Sequence, residues 1–344
     1  MKKVLLTGAS GYIGKHIALE LINQGYEVRA SVRSLNRAQE VKDAVAPFVT
    51  PGIDLAKKLT FVELDLEKDS GWSAALNGID VLMHTASPFP IASPKNEDDL
   101  IRPAVQGTLR ALAAAKDAGV KRVVLTSSNA AVYGYDLPKD VVAFDETMWT
   151  DVNLPIGKVA YTKSKTLAEM AAWDYVKKSA QDIQLTTINP VLVLGAPLDN
   201  NFGSSISVVE RILQGKDPLL PDLRFGIVDV KDVARMHVQS IENKATFGER
   251  ILACSETLSF IDIAKILKSV YPKSKTKTGK APTFLIKFLS NFDGDIKAVL
   301  PLLGKAMITS NAKAIRILGM KFIPAEVSVK DSAAFLFKSG AIKG

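Results

Sequence analysis

Val4-Leu5-Leu6-Thr7-Gly8-Ala9-Ser10-Gly11-Tyr12-Ile13-Gly14 decides the fold. A short apolar run ends at Gly8, and Ile13, Ile17 and Leu21 then recur at helical spacing until Gly25 stops the helix. Gly8, Gly11 and Gly14 therefore occupy a strand-to-helix turn. Glycine permits the tight turn and lets backbone approach a pyrophosphate, while the helix amino end offers N–H groups and partial positive charge. A Gly-x-x-Gly-x-x-Gly spacing means little alone, but it points to dinucleotide binding directly after a strand and at a helix start.

The pattern continues outward from this turn. Strands are expected at Val28 to Val32, Leu59 to Leu64, Val81 to Thr85, Val123 to Thr126 and Leu185 to Ile188. Long helices are expected at about Asp98 to Ala118 and Lys158 to Ser179. Alternating strand and helix implies an α/β fold, a doubly wound parallel sheet of Rossmann type. After Pro190 the pattern loosens, with strand-like runs at Phe225 to Val230 and Glu249 to Ala253, and short helices broken by Pro272, Pro282, Pro301 and Pro324. The expected division is a nucleotide-binding domain at 1–190 plus about 225–255. A smaller substrate-binding lobe takes about 191–224 and 256–344.

Composition narrows the partners. Lys and Arg number 44 against 36 Asp and Glu, a net charge of +8, which suits an anionic ligand. Lys273, Lys275, Lys277 and Lys280 lack the interleaved aromatics that stack bases, so no nucleic-acid partner is expected. Cys254 is the single cysteine, so no intrachain disulfide can form, which fits a reducing compartment. No apolar run is long enough to span a bilayer, and a cytoplasmic protein without a membrane partner is expected. His16, His84 and His237 show no metal-ligand spacing, and no metal is expected.

Cofactor choice is readable after the second strand. NAD-binding folds place an acid there for the ribose hydroxyls; this chain has Ala30-Ser31-Val32-Arg33. Arg33 and Arg37 stand where a 2′-phosphate would lie, so NADP(H) is expected. Asp65, following the third strand, is a candidate adenine contact.

Tyr-x-x-x-Lys occurs three times, as Tyr135 with Lys139, Tyr161 with Lys165, and Tyr271 with Lys275. Pro138 and Pro272 spoil the first and third as helix turns. Tyr161 and Lys165 share one face of a proline-free helix. An ammonium there is expected to favour the phenolate and lower the tyrosine pKa, making it a general acid for carbonyl reduction. Thr126-Ser127-Ser128 ends the fifth strand, where a hydroxyl faces the ligand crevice. From the residues alone either serine could serve.

Together these residues resemble the extended short-chain dehydrogenase/reductases, in the branch of dihydroflavonol reductases, cinnamoyl-CoA reductases and microbial aldehyde and ketone reductases. The resemblance rests on Thr7 to Gly14, Val32-Arg33, Leu64-Asp65-Leu66, His84-Thr85-Ala86-Ser87-Pro88, Gly107-Thr108, Thr126-Ser127-Ser128 and Tyr161-Thr162-Lys163-Ser164-Lys165. Asn189-Pro190, Val228 to Ala234 and Leu318-Gly319 extend it over nearly the whole chain. It implies a catalytic triad of Ser128, Tyr161 and Lys165, with the second serine favoured. It implies cofactor contacts from Ser10, Tyr12 and Ile13 beside the three glycines, from Leu66 beside Asp65, and from Ala86, Ser87, Pro88, Pro190 and Val191. Phe89, Asn129 and Tyr133 would face substrate.

Cinnamoyl-CoA reductases carry a Trp- and Cys-containing stretch before the tyrosine; Gly157-Lys158-Val159-Ala160 stands here and argues against that substrate. The expected activity is NADPH-dependent reduction of a small aldehyde or ketone to an alcohol, by a monomer or homodimer. Two alternatives are a nucleotide-sugar epimerase or dehydratase of the same fold, which normally keeps an acid after the second strand, and a non-catalytic dinucleotide-sensing protein, which needs no Tyr–Lys pair.

Overall fold

In the computed structural model, which describes residues 2–87, 96–292, 296–297 and 300–342, the opening apolar run is β1 (Lys3–Thr7). Its side chains alternate in destination. Val4 and Leu6 pack into one core cluster and Leu5 into another, as a strand buried on both faces requires. The glycine turn leads into α1 (Tyr12–Asn23). Then follow β2 (Glu27–Val32), α2 (Ala38–Val45), α3 (Leu55–Lys58), β3 (Leu59–Glu63), α4 (Trp72–Leu76), β4 (Val81–His84), α5 (Asp98–Asp117), β5 (Arg122–Thr126), α6 (Ala160–Ser179) and β6 (Gln184–Pro190). The second half adds β7 (Leu192–Leu194), α7 (Gly203–Leu213), β8 (Arg224–Asp229), α8 (Val230–Gln239), β9 (Glu249–Ala253), β10 (Glu256–Ser259) and α9 (Phe260–Val270).

Seven of these strands form one parallel sheet in the order β3-β2-β1-β4-β5-β6-β9. Helices α1 and α8 cover one face, with Ile17, Leu21, Val233 and Met236 in its core. Helices α5 and α6 cover the other, with Leu112 and Ala172. Strand order reverses between β1 and β4, which opens the ligand crevice at the carboxyl ends of the strands. The Rossmann-type reading therefore holds, and its expected strands agree to within two residues at each end.

Within the stretch about 225–255, α8 packs on this sheet and β9 joins it. β8 lies outside it. It pairs parallel with β7 and antiparallel with β10 in a separate three-stranded sheet. Alternation identifies a strand but not its neighbour, and β7, its partner, is only three residues of apolar run directly after β6. This second sheet packs with α7, α9 and the final helix Ala325–Lys338 through Ile206, Val209, Ile263, Leu267 and Val329.

The switch point explains two of the three glycines mechanically. Gly8 has φ +71°, and a Cβ there would sit 2.8 Å from backbone atoms of Ala86 after β4. A Cβ on Gly14 would sit 2.2 Å from the Gly8 carbonyl oxygen. Gly11 is different: its Cβ would meet only that oxygen, at 3.3 Å. Gly14→Ala is therefore expected to cost about 3 kcal/mol or more, the top of the range for overpacking, read as a fall in the unfolding midpoint. Gly11→Val should keep the fold by circular dichroism and lose dinucleotide binding by calorimetric titration. A Gly14→Ala protein as stable as the wild type would show that the turn is not built this way.

Candidate active site

The helix after the turn is open at its amino end. Gly11 is the N-cap in extended conformation, no side chain caps it, and no acid stands in the first turn of α1. The N–H groups of that turn have no partner within the helix. Beside them, Thr7 Oγ1 is bonded to His84 Nδ1 at 2.8 Å and accepts from the Thr85 and Ala86 N–H groups, both at 3.2 Å. Thr85 Oγ1 donates to the Thr7 carbonyl at 2.5 Å. The strand ends at the switch point are thus laced together, which places Ala86 and Ser87 against the glycine turn. Burial pulls the His84 imidazole down to about 4, helped by the Lys165 charge, so it is neutral at physiological pH. Among the described residues, no group of three His, Cys, Asp or Glu is arranged to hold a metal.

Arg33 stands exposed just past β2. Arg37 instead forms a 3.0 Å ion pair with Glu40, which also receives Lys15 Nζ at 2.8 Å and Asn201 Nδ2 at 3.1 Å. Burial works to raise the Glu40 carboxyl, but Lys15, Asn201 and Arg37 outweigh it and hold the group below its ordinary value. Lys15 is buried and also pairs with Asp199, and Asn201 donates to the Ser10 carbonyl at 3.1 Å. These contacts join the loop before α7 to the glycine turn. Asp65 accepts from the Glu67 N–H at 3.0 Å and is 3.6 Å from Lys68, a turn-closing arrangement beside Leu66.

From Ser87 the site runs onto α6. Lys165 Nζ donates to Ser87 Oγ at 2.7 Å and lies 5.7 Å from the centre of the Tyr161 ring. Tyr161 OH is 3.4 Å from Ser128 Oγ. Ser128 Oγ also accepts the Ala130 N–H at 3.1 Å, and either hydroxyl of the Ser128–Tyr161 pair can be the donor between them. Ser127 faces elsewhere: its hydroxyl donates to Glu169 at 2.5 Å. Geometry thus separates the two serines that spacing left equivalent. Neither Tyr135 nor Tyr271 lies within a helix, so the other two Tyr-x-x-x-Lys pairs lack a shared helical face.

The expected electrostatics of the pair reverse in the structure. Lys165 was expected to lower the Tyr161 pKa. Burial instead pushes the phenol above its ordinary value, only partly opposed by the Ser128 hydrogen bond, and pulls the Lys165 ammonium down to about 8. Both groups are desolvated, and the ammonium turns to Ser87, so the cost of burying charge exceeds the attraction between them.

A cavity of about 190 Å³ opens in front of the two hydroxyls. Ser128, Asn129, Tyr133, Tyr161, Pro190 and Val191 line it, all expected from the sequence. Asn129 Nδ2 donates to Thr309 at 2.9 Å, and its Oδ1 is buried without a partner. Burial raises the Tyr133 phenol, with Tyr161 nearby, so Tyr133 stays neutral. Pro88 and Phe89 lie outside the described residues. The sequence reading missed the remaining walls: Ala130, Leu192, Ser204, Ser205, Phe225, Gly226 and Met307. A Cβ on Gly226 would stand 2.7 Å from Val191 Cγ1 and 2.9 Å from Cys254 Sγ, a close approach that a lone glycine between apolar residues could have signalled.

Residues 4–253 match the NAD dependent epimerase/dehydratase family, and the chain belongs to it. It is 34% identical to cinnamoyl-CoA reductase CAD2 of Medicago truncatula over 97% of this chain and 95% of that one. It is 30% identical to ketoreductase azaE of Aspergillus niger over 98% of both. Among solved structures, yeast methylglyoxal/isovaleraldehyde reductase Gre2 complexed with NADPH superposes with a TM-score of 0.78 at 28% identity, covering 99% of this chain and 100% of that one.

With Lys165 at about 8 and Tyr161 shifted the other way, lysine is the group of the pair that titrates near neutrality. A ligand that favours the ammonium binds more weakly once pH exceeds the free protein's lysine pKa. NADPH affinity, read by fluorescence titration, should fall as pH rises through about 8. Lys165→Arg, which stays charged, should flatten that limb. An unaltered limb in the arginine variant would assign the titration elsewhere.

Proposed function

We propose that this chain is an NADPH-dependent oxidoreductase that reduces the carbonyl of a small aldehyde or ketone to an alcohol. The observation that carries this is continuity. The open glycine turn, Ala86–Ser87, Lys165, Tyr161 and Ser128 follow one another without a gap, and the last two face a cavity. The likeness to aldehyde and ketone reductases over the whole chain supports the same reading.

The residues fit the dinucleotide. The uncapped turn with a side-chain-free Gly11 suits a pyrophosphate, and exposed Arg33 suits a 2′-phosphate. Ser10, Tyr12, Ile13, Arg37, Asp65, Leu66, Ala86, Ser87, Pro190 and Val191, with Pro88 outside the described residues, complete the proposed binding set. NADPH, when bound, supplies the hydride for the carbonyl carbon. Tyr161, kept neutral by burial, holds the proton that goes to the carbonyl oxygen. Ser128 aims its hydroxyl at the same oxygen, a second donor where negative charge develops. Lys165 holds the ribose hydroxyls and, through Ser87, the loop after β4.

The cavity's described lining includes no Lys or Arg, and Val191, Leu192, Phe225 and Met307 make it largely apolar. That favours a neutral carbonyl compound over a nucleotide sugar or a CoA thioester, both of which bring phosphates. Among the described residues no helix is long and apolar enough to cross a membrane. A cytoplasmic monomer or homodimer is the form we propose.

Two measurements test this reading. Charge-assisted hydrogen bonds contribute ~1.5–3 kcal/mol, so one bond from Arg33 gives roughly 10- to 150-fold preference for NADPH over NADH in kcat/KM. Arg33→Ala should erase that preference; equal values in the wild type would refute the cofactor assignment. In a panel of aldehydes and ketones followed by NADPH absorbance, Tyr161→Phe should lower kcat by about 10²-fold or more while NADPH still binds. Near-normal turnover by that variant would remove Tyr161 from the mechanism.

A further inference from the structure

Glu169 lies one helical turn beyond Lys165 and two beyond Tyr161 on α6, and its side chain is fully buried. Its carboxylate accepts from Ser127 Oγ at 2.5 Å, Asn189 Nδ2 at 2.6 Å, Thr187 Oγ1 at 3.0 Å and Trp173 Nε1 at 3.3 Å. Arg250 Nε, on β9, completes the set at 2.7 Å and forms the buried ion pair. The arginine is itself fixed, donating to the Glu146 and Met148 carbonyls and stacking 3.6 Å over Trp149. One side chain on the catalytic helix thereby grips the carboxyl ends of β5 and β6 and the start of β9.

The links run toward the reacting groups. Ser127 is drawn away from the cavity. Asn189 Nδ2, besides bonding Glu169, donates to the Ser128 carbonyl at 3.1 Å, and its neighbour Pro190 forms part of the cavity wall. A buried ion pair is a weak source of net stability, but a carboxylate that accepts five donors sets the direction of five groups. We infer that Glu169 is a positioning residue for the proton-donating pair: it removes Ser127 from competition and, through Asn189, fixes the Ser128 hydroxyl facing Tyr161. The inference rests on the roles proposed above for Ser128 and Tyr161.

The test is a double-mutant cycle on the full-length protein. In Glu169→Gln, NADPH affinity and carbonyl KM should stay within about threefold of the wild type, while kcat falls by about 10- to 100-fold, as for a small misplacement of a reacting group. In a Ser128→Ala background, the same change should cost less than about threefold more, because the hydroxyl it positions is gone. A merely structural role predicts the opposite, equal losses in both backgrounds, and that result overturns the inference, as does an unchanged kcat in Glu169→Gln. If Glu169→Gln does not fold, Asn189→Ala takes its place in the cycle, since it cuts the link and leaves the Glu169–Arg250 pair. Tyr161→Phe runs in the same assay. Should it keep normal turnover, the active-site reading falls and this inference with it; should it be inactive while the cycle is additive, only this inference falls.

Discussion

The approach of β1 to β4 at the sheet's switch point is the constraint on which the rest depends. The backbone after β4 comes so close to Gly8 that no side chain fits between them, and Thr7 holds it there through its hydroxyl. That contact brings Ser87 within reach of Lys165, so the glycine turn and the helix carrying Tyr161 share one crevice. Loosening the strand ends would separate the glycine turn from the helix that carries Tyr161 and Lys165, with both still intact.

Burial then sets the chemistry. A surface Tyr–Lys pair would let the ammonium lower the phenol. Here desolvation acts on both groups in opposite directions, so the phenol keeps its proton while the lysine can shed one near neutrality. A proton donor for reduction needs the first property, and a group that senses a bound polyanion benefits from the second. The histidines follow the same rule: His84 and His237 are both brought to about 4 by burial and serve as neutral hydrogen-bonding partners.

Much of this was legible in the sequence because it is local. The glycine spacing, the missing acid before Arg33 and the four-residue separation of Tyr161 and Lys165 each depend on a few neighbouring residues. The parts that were not legible depend on distance. β8 has as clear a strand pattern as β9, but which sheet it joins is settled by pairing with β7. Met307 and Phe225 reach the cavity from chain positions far from Tyr161. Spacing alone leaves Ser127 and Ser128 equivalent; the bond from Ser127 to Glu169 is a contact between the end of β5 and α6 that no local pattern carries. Glu169 itself left a trace, an acid at two-turn spacing from Tyr161 on a helix face that the sheet must cover. The direction of the Tyr161 shift left none, because burial is a property of the folded chain.

The cavity is built by two parties with separate obligations. Its Ser128 and Tyr161 side hangs from β5, α6 and the end of β6. Its far side, from Leu192, Ser204, Ser205, Phe225 and Met307, belongs to the smaller sheet, the first turn of α7 and the chain that follows residues 300–302. A substitution in the far wall changes the shape of the space in front of the Ser128 and Tyr161 hydroxyls from elements other than those that carry them.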